Sequence, residues 1–206
     1  MTPEKPRKEP SQSRSVHTVE AIFDATIQVL LDGGLERLTT TRVAERAGVS
    51  VGSLYQYFPN KQSLVAAVLQ RHLLHVVGAV EAACAAAKGQ RIDVMASAVI
   101  NGFVSAKLDQ PAISKALYAV AAQVGGVAEV ARLTMRSQLA LCDLLATASD
   151  VRFKDAELVA FMLSTAAIGP VQALLMSDAS PAMIGAVRVH LAAMMTAYLK
   201  ASALPA

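Results

Sequence analysis

The sequence predicts an all-α protein of about nine helices, with a small N-terminal three-helix domain built around a helix-turn-helix and a larger C-terminal helical bundle. Three observations carry this reading. β-branched residues nowhere alternate with polar ones as a half-buried strand requires, tryptophan is absent, and Ala, Leu, Val and Met recur at three- and four-residue spacing. The chain of 206 residues is 54% apolar and 17% charged, which excludes a predominantly disordered chain and allows a small domain joined to a larger one.

Residues 1–13 hold charges and prolines with no apolar segment behind them, so they read as a disordered tail and not as a signal peptide. Val19, Ile22, Phe23, Ile27 and Leu30 then fall on one face of a first helix, which Gly33 and Gly34 stop. Thr39 and Thr40 can accept bonds from the orphan amides of a short helix over 41–47, and Gly48 ends it. Ser50 caps another short helix over 51–57, terminated by Pro59 and Asn60. A longer helix starts at Lys61 and runs toward Ala87. Five more segments, 91–108, 111–124, 127–148, 156–176 and 181–200, are separated by Lys88-Gly89, Pro111, Gly125-Gly126, Ser149-Asp150 and Ser180-Pro181. The expected domains are 14–74, with its motif at 40–59, and 75–206.

Positive charge gathers near the motif. Net charge is +3, yet residues 37–71 carry five basic residues (Arg37, Arg42, Arg46, Lys61, Arg71) against Glu45 alone, while 76–206 carry ten basic and nine acidic. A polyanion partner is expected there. Within Thr40 to Pro59, Ala44 allows close helix approach, Gly48 takes a left-handed turn, and Val43, Val49 and Leu54 point inward. The second short helix then projects Ser50, Val51, Gly52, Ser53, Tyr55, Gln56 and Tyr57, short or hydrogen-bonding groups suited to a major groove. On the residues alone, a helical hairpin that merely packs its tyrosines is the alternative.

The run Leu54-Tyr55-Gln56-Tyr57-Phe58-Pro59-Asn60-Lys61, with its Thr-Thr opening and small-xx-Gly-Val-Ser turn, resembles the tetracycline-repressor (TetR) family of bacterial regulators over roughly residues 16–74. The resemblance implies phosphate contacts at Thr40, Tyr55 and Lys61, and approach to bases or backbone by Ser50, Val51, Gly52, Ser53, Gln56 and Tyr57. Thr41 stands where some members have arginine and Val51 where many have a polar residue. Base readout is therefore expected to rest on Gln56, Ser53 and Arg42, with Val51 limited to a thymine methyl. The partner so implied is double-stranded DNA carrying a palindromic operator, with dimerisation through the last two helices and a small effector bound in the C-terminal domain.

That domain offers no motif of its own. Met183, Val187, Leu191, Met194 and Tyr198 predict an apolar stripe on the last helix, and Leu158–Met176 is apolar nearly all round. Burial of these two helices against their symmetry mates is expected, with a monomer core as the alternative. Phe103, Tyr118, Met135, Phe161 and Met162, with the amides of Asn101, Gln123 and Gln138, are the candidate lining for a hydrophobic or aromatic effector.

Other chemistries find little support. The nineteen uncharged residues 158–176 approach a membrane span, but Ser164, Thr165, Gly169, Pro170 and Gln172 interrupt them and no basic cluster flanks them, so no membrane partner is expected. Cys84 and Cys142 form no CxxC and read as buried thiols in a cytoplasmic protein. His72 and His75 read as a helix-surface pair without the carboxylates or thiols of a metal site. No nucleophile elbow, phosphate loop or dinucleotide fingerprint occurs, so neither an enzyme nor a cofactor is expected. The functional reading is a ligand-responsive repressor; the alternative is a helical small-molecule carrier or interaction module without a DNA role.

Overall fold

The computed structural model describes residues 13–177 and 179–204. Residues 1–12 of the expected tail lie outside the described residues, and Ser13 already opens the first helix. The described residues form nine α-helices and no β-strand: α1 (Ser13–Arg37), α2 (Thr40–Ala47), α3 (Val51–Tyr57), α4 (Lys61–Ala86), α5 (Ile92–Leu108), α6 (Pro111–Val120), α7 (Val127–Leu145), α8 (Ala156–Met176) and α9 (Pro181–Ser202). A 3-10 turn, Ala121–Val124, follows α6.

The helices fall into two compact units, and the first is not contiguous in sequence. It holds the residues up to His72 together with Ala112–Glu129, and the second holds Leu73–Pro111 with Val130 onward. In the first unit the predicted stripe of α1 turns inward, with Ile22 fully buried alongside Leu38, Val43, Leu54 and Leu64. Each such side chain contributes about 1.5–3 kcal/mol on leaving water. Gly34 adopts φ 68°, a left-handed conformation that breaks the helical course of α1 where the glycine pair predicts a stop, although a helical turn resumes to Arg37.

In the second unit α5 packs against α8 and α9 over a core that includes Ile92, Met95, Ile100, Leu144, Leu163 and Leu199. Alanine and glycine bring α4 and α5 close. A Cβ on Gly102 would lie 3.0 Å from the Ala83 methyl and 3.1 Å from the Ala79 carbonyl oxygen.

Two boundaries and one register differ notably from expectation, each for a local reason. The segment 111–124 is α-helical only to Val120 and tightens to 3-10 before Gly125, whose φ is 69°. Helix α7 ends at Leu145, because the Thr147 hydroxyl donates to the Leu144 carbonyl at 2.7 Å and closes a turn there. The stripe on α9 is displaced in register. Leu191, Met195 and Leu199 are buried and Ile184, Val187 and Tyr198 half-buried, whereas Met183 and Met194 stand exposed. Over several turns the inward face drifts by one position, which a list of apolar residues does not reveal.

Candidate nucleic-acid interface

Helices α2 and α3 are short, and their caps define them. Thr39 Oγ1 accepts from the Arg42 amide at 3.2 Å and begins α2. At its end Gly48 takes φ 68°; the Gly48 amide donates to the Glu45 carbonyl at 3.2 Å and the Val49 amide to the Ala44 carbonyl at 3.0 Å. This paired closure is a Schellman motif, and it needs a residue without a Cβ penalty at the left-handed position. Ser50 Oγ accepts from the Ser53 amide at 3.0 Å and starts α3 two residues after the turn. Val43, Ala44 and Leu54 are buried between the helices and Val49 is half-buried, so the inward set predicted from sequence is the set that packs.

With Leu54 inward, the opposite face of α3 is outward. Gly52 and Gln56 are exposed, Tyr55 is 43% exposed, and Val51, Ser53 and Tyr57 are half-buried. The Tyr55 hydroxyl shares a 3.1 Å hydrogen bond with Thr40 Oγ1, which orients the ring from the start of α2. The Ser50 and Ser53 hydroxyls lie 2.8 Å apart and bond to each other. Gly52 has no internal reason to be glycine: a Cβ there would meet only Ser50 Oγ, at 3.8 Å.

Charge near this face is smaller than its sequence window implies. Arg46 pairs with Asp32 at 3.0 Å, and Arg71 pairs with Glu20 and Asp24. All three acids lie on α1, upstream of the window in which the bases were counted. Arg42 and Lys61 instead donate to main-chain carbonyls, of Arg37 at 3.1 Å and of Leu35 at 3.3 Å, and so keep their charge. Both bonds tie the end of α1 to neighbouring helices. Thr41 is exposed at the head of α2. A cap that sequence reasoning passed over is Asn60, whose Oδ1 accepts from the Ser63 amide at 2.8 Å and opens α4. The Asn-x-x-Ser spacing carried that signal.

The residues expected around an effector have unequal surroundings. In the first unit Tyr118 is half-buried on α6, its hydroxyl pushed up to about 12 by burial, and its ring meets that of His72 edge-on at 6.1 Å; Gln123 is exposed. His72 is consequently no surface residue: its Nε2 lies 3.1 Å from Ser114 Oγ, and only His75 of that pair is exposed. In the second unit Phe103 is half-buried with the Lys107 ammonium 6.0 Å from its ring, and burial brings the Lys107 amine down to about 7. Gln138 donates to Ser164 Oγ at 3.0 Å. Asn101, Met135, Phe161 and Met162 are exposed, the usual outcome for an amide on an otherwise apolar helix but a costly one for Phe and Met.

Phe161 and Met162 belong to a larger feature. Helix α8 is buried along one side only, that of Val159, Leu163 and Val171, while its Leu158, Phe161, Met162, Ile168 and Met176 are exposed. Met183, Val189 and Met194 are exposed on α9, which contacts α8. By length and composition alone α4, α8 and α9 could each cross a membrane. Cys84 is buried, with its thiol raised to about 11 by desolvation, and Cys142 is half-buried. Among the described residues no three His, Cys, Asp or Glu side chains gather as a metal site.

Comparison with known proteins finds matches for two stretches of the chain. Residues 22–68 match the model of bacterial regulatory proteins of the tetR family, and residues 92–199, just over half of the chain, match the tetracyclin repressor-like C-terminal domain. The HTH-type transcriptional repressor KstR of Mycolicibacterium smegmatis is 33% identical over 115 residues, 54% of this chain and 56% of that protein. The tetracycline repressor protein class C of Escherichia coli is 43% identical over 54 residues, 26% of this chain and 25% of that one. The chain thus matches about half or less of these curated relatives' length. Among solved structures, a candidate TetR-family transcriptional regulator from Mesorhizobium loti MAFF303099 superposes with a TM-score of 0.75 at 15% identity, covering 94% of this chain and all of that one. The fatty acid degradation regulator FadR from Bacillus halodurans gives 0.69 at 16% identity, over 92% and 96%. At these identities the structural likeness speaks for the fold.

Proposed function

The chain belongs to the tetR family of bacterial regulatory proteins, and from that premise we propose that it is a DNA-binding transcriptional repressor, a homodimer that holds a palindromic operator and releases it when a small apolar or aromatic effector binds. The observation that carries this reading is the outward face of α3, where Gly52, Tyr55 and Gln56 are exposed while Leu54 anchors the helix from behind. Gly52 lets the backbone approach a groove floor, the Gln56 amide can pair with a base edge, and Val51 can meet a thymine methyl. Thr40, Thr41, Ser50, Ser53, Tyr55, Tyr57, Arg42 and Lys61 supply hydroxyl and cationic donors for phosphates and bases at the rim.

The exposed apolar faces of α8 and α9 support dimerisation. An isologous four-helix contact would remove them from water, and a stable interface needs only about 800 Å² from each partner. Two recognition helices then lie about 34 Å apart, or a multiple of it, and read the two halves of a palindrome. Effector binding shifts the population toward a conformer in which α4 carries the recognition helices out of register with successive grooves. Within the second unit Phe103 and Gln138 are the best supported effector contacts, being half-buried; Phe161 and Met162 fit the dimer face better.

A salt-titrated binding assay against the DNA upstream of the protein's own coding region tests the reading. Nanomolar affinity that falls steeply with salt is expected, because several phosphate contacts release counterions. Micromolar binding without sequence preference would return the protein to the carrier class.

A further inference from the structure

Arg71 lies on α4 where a single guanidinium meets three groups of α1. Glu20, Phe23 and Asp24 fall at i, i+3 and i+4 and therefore share a face. Arg71 Nη1 donates to Glu20 Oε2, Nη2 donates to Asp24 Oδ1 at 3.1 Å, and Cζ lies 4.9 Å from the centroid of the Phe23 ring. That ring in turn lies 5.6 Å from Phe58. Phe58 is buried at the C-terminal cap of α3, where its amide donates to the Leu54 carbonyl at 2.9 Å. One continuous set of contacts thus runs from α4, across α1, to the end of the recognition helix.

Exposed ion pairs contribute little to stability taken singly. Here the geometry is more telling than the charge. A planar fork that spans two carboxylates while stacked on a ring fixes both the distance and the rotation between two helices, which a point charge cannot do.

We propose that Arg71 is a positioning residue for DNA binding: through Glu20, Asp24 and Phe23 it sets the angle at which α3 meets the groove, without itself touching DNA. This rests on the regulator reading above. Simple electrostatics leaves the ratio of specific to non-specific affinity unchanged in one variant, whereas the proposal lowers it. Replacing Glu20 and Asp24 by Gln and Asn removes two negative charges, which by itself strengthens attraction to any duplex. If the contacts position α3, the same change lowers the preference for the correct sequence.

The experiment uses the full chain and two probes, a duplex that the wild-type protein selects from a random pool and a shuffled duplex of equal length and composition. In E20Q/D24N the ratio of the two affinities is expected to fall about tenfold, comparable to one mismatched base pair. The slope of affinity against salt should stay the same, since no phosphate contact is lost. R71K, which keeps the charge but not the fork, should show an intermediate ratio. D24N alone changes a side chain that is 67% exposed, so it leaves the fold intact and should move the ratio in the same direction. A ratio equal to or above wild type in these variants overturns the proposal while leaving the regulator reading in place. A wild-type protein that selects no duplex at all overturns both.

Discussion

The two units bury the same kinds of side chain and differ in what they leave outside. Around α3 the exterior is built from a glycine, hydroxyls, an amide and a tyrosine whose hydroxyl is held by Thr40. On α8 and α9 it is built from Leu158, Phe161, Met162, Met183 and Met194. Single exposed apolar residues mean nothing, but several on two contacting helices fit the dimer face proposed above. The contrast teaches that one unit offers directional hydrogen-bonding groups, as the proposed DNA contact requires, and the other offers apolar area, as the proposed dimer requires.

The largest expected effect falls on the turn that aims the first of these surfaces. Gly48→Val forces a β-branched residue into a left-handed conformation, at a cost of about 1–3 kcal/mol in the motif. Loss of operator binding in an electrophoretic assay is expected, together with a lower unfolding midpoint; wild-type affinity would remove the turn from the account. Next, Phe161→Glu places a charge on the face assigned to the dimer. Because Phe161 is 49% exposed in the single chain, the fold should survive while sedimentation reports a shift from dimer to monomer. An unchanged dimer would mean that α8 pairs with nothing and that the contrast between the units is weaker than drawn.

A subtler substitution separates stability from recognition. Gly52→Ala should leave the fold unchanged or stabilise it by up to about 1 kcal/mol, since alanine is the better helix former and the site has room. Operator affinity should nonetheless fall severalfold, because the added methyl meets the groove floor. Equal affinity in fluorescence anisotropy would show that the backbone does not approach DNA there.

The smallest effect tests the apolar unit through its half-buried base, Lys107. Desolvation brings the Lys107 amine from 10.5 down to about 7. Between those values the unfolded chain binds more protons than the folded one, so stability should rise as pH increases from 7 toward 10 and level off below 7, where both states hold the proton. Lys107→Met should flatten that slope in denaturant titrations across the same range, and an identical slope in the variant would place the amine in water.

How much of this was legible in the sequence follows the same division. Thr39, Gly48 and Ser50 act on neighbours within five residues, so their roles can be read from spacing alone. The α1 partners of Arg71 lie 51 and 47 residues away, and no local pattern announces them. A charge window over 37–71 counted Arg46 and Arg71 as available because Asp32, Glu20 and Asp24 fall outside it. In the C-terminal unit the last helix showed its apolar character but not its register, and Met194 replaced Met195 in the expected inward set. Spacing alone makes Asn101 and Gln123 candidate pocket amides, yet a polar group on an apolar segment turns to water unless something buried accepts it. His72, read as a surface residue, meets Ser114 because α6 packs on α4, a contact that only the tertiary arrangement creates.

The most direct test of the outward α3 face is a base-preference profile of Gln56→Ala, measured on every single-base variant of the operator that the wild-type protein selects. The account predicts relaxed discrimination, by about 1–3 kcal/mol, at one position in each half-site and at the two symmetry-related positions alike. A profile identical to wild type, or one in which every sequence weakens equally, would contradict insertion of this helix into the groove.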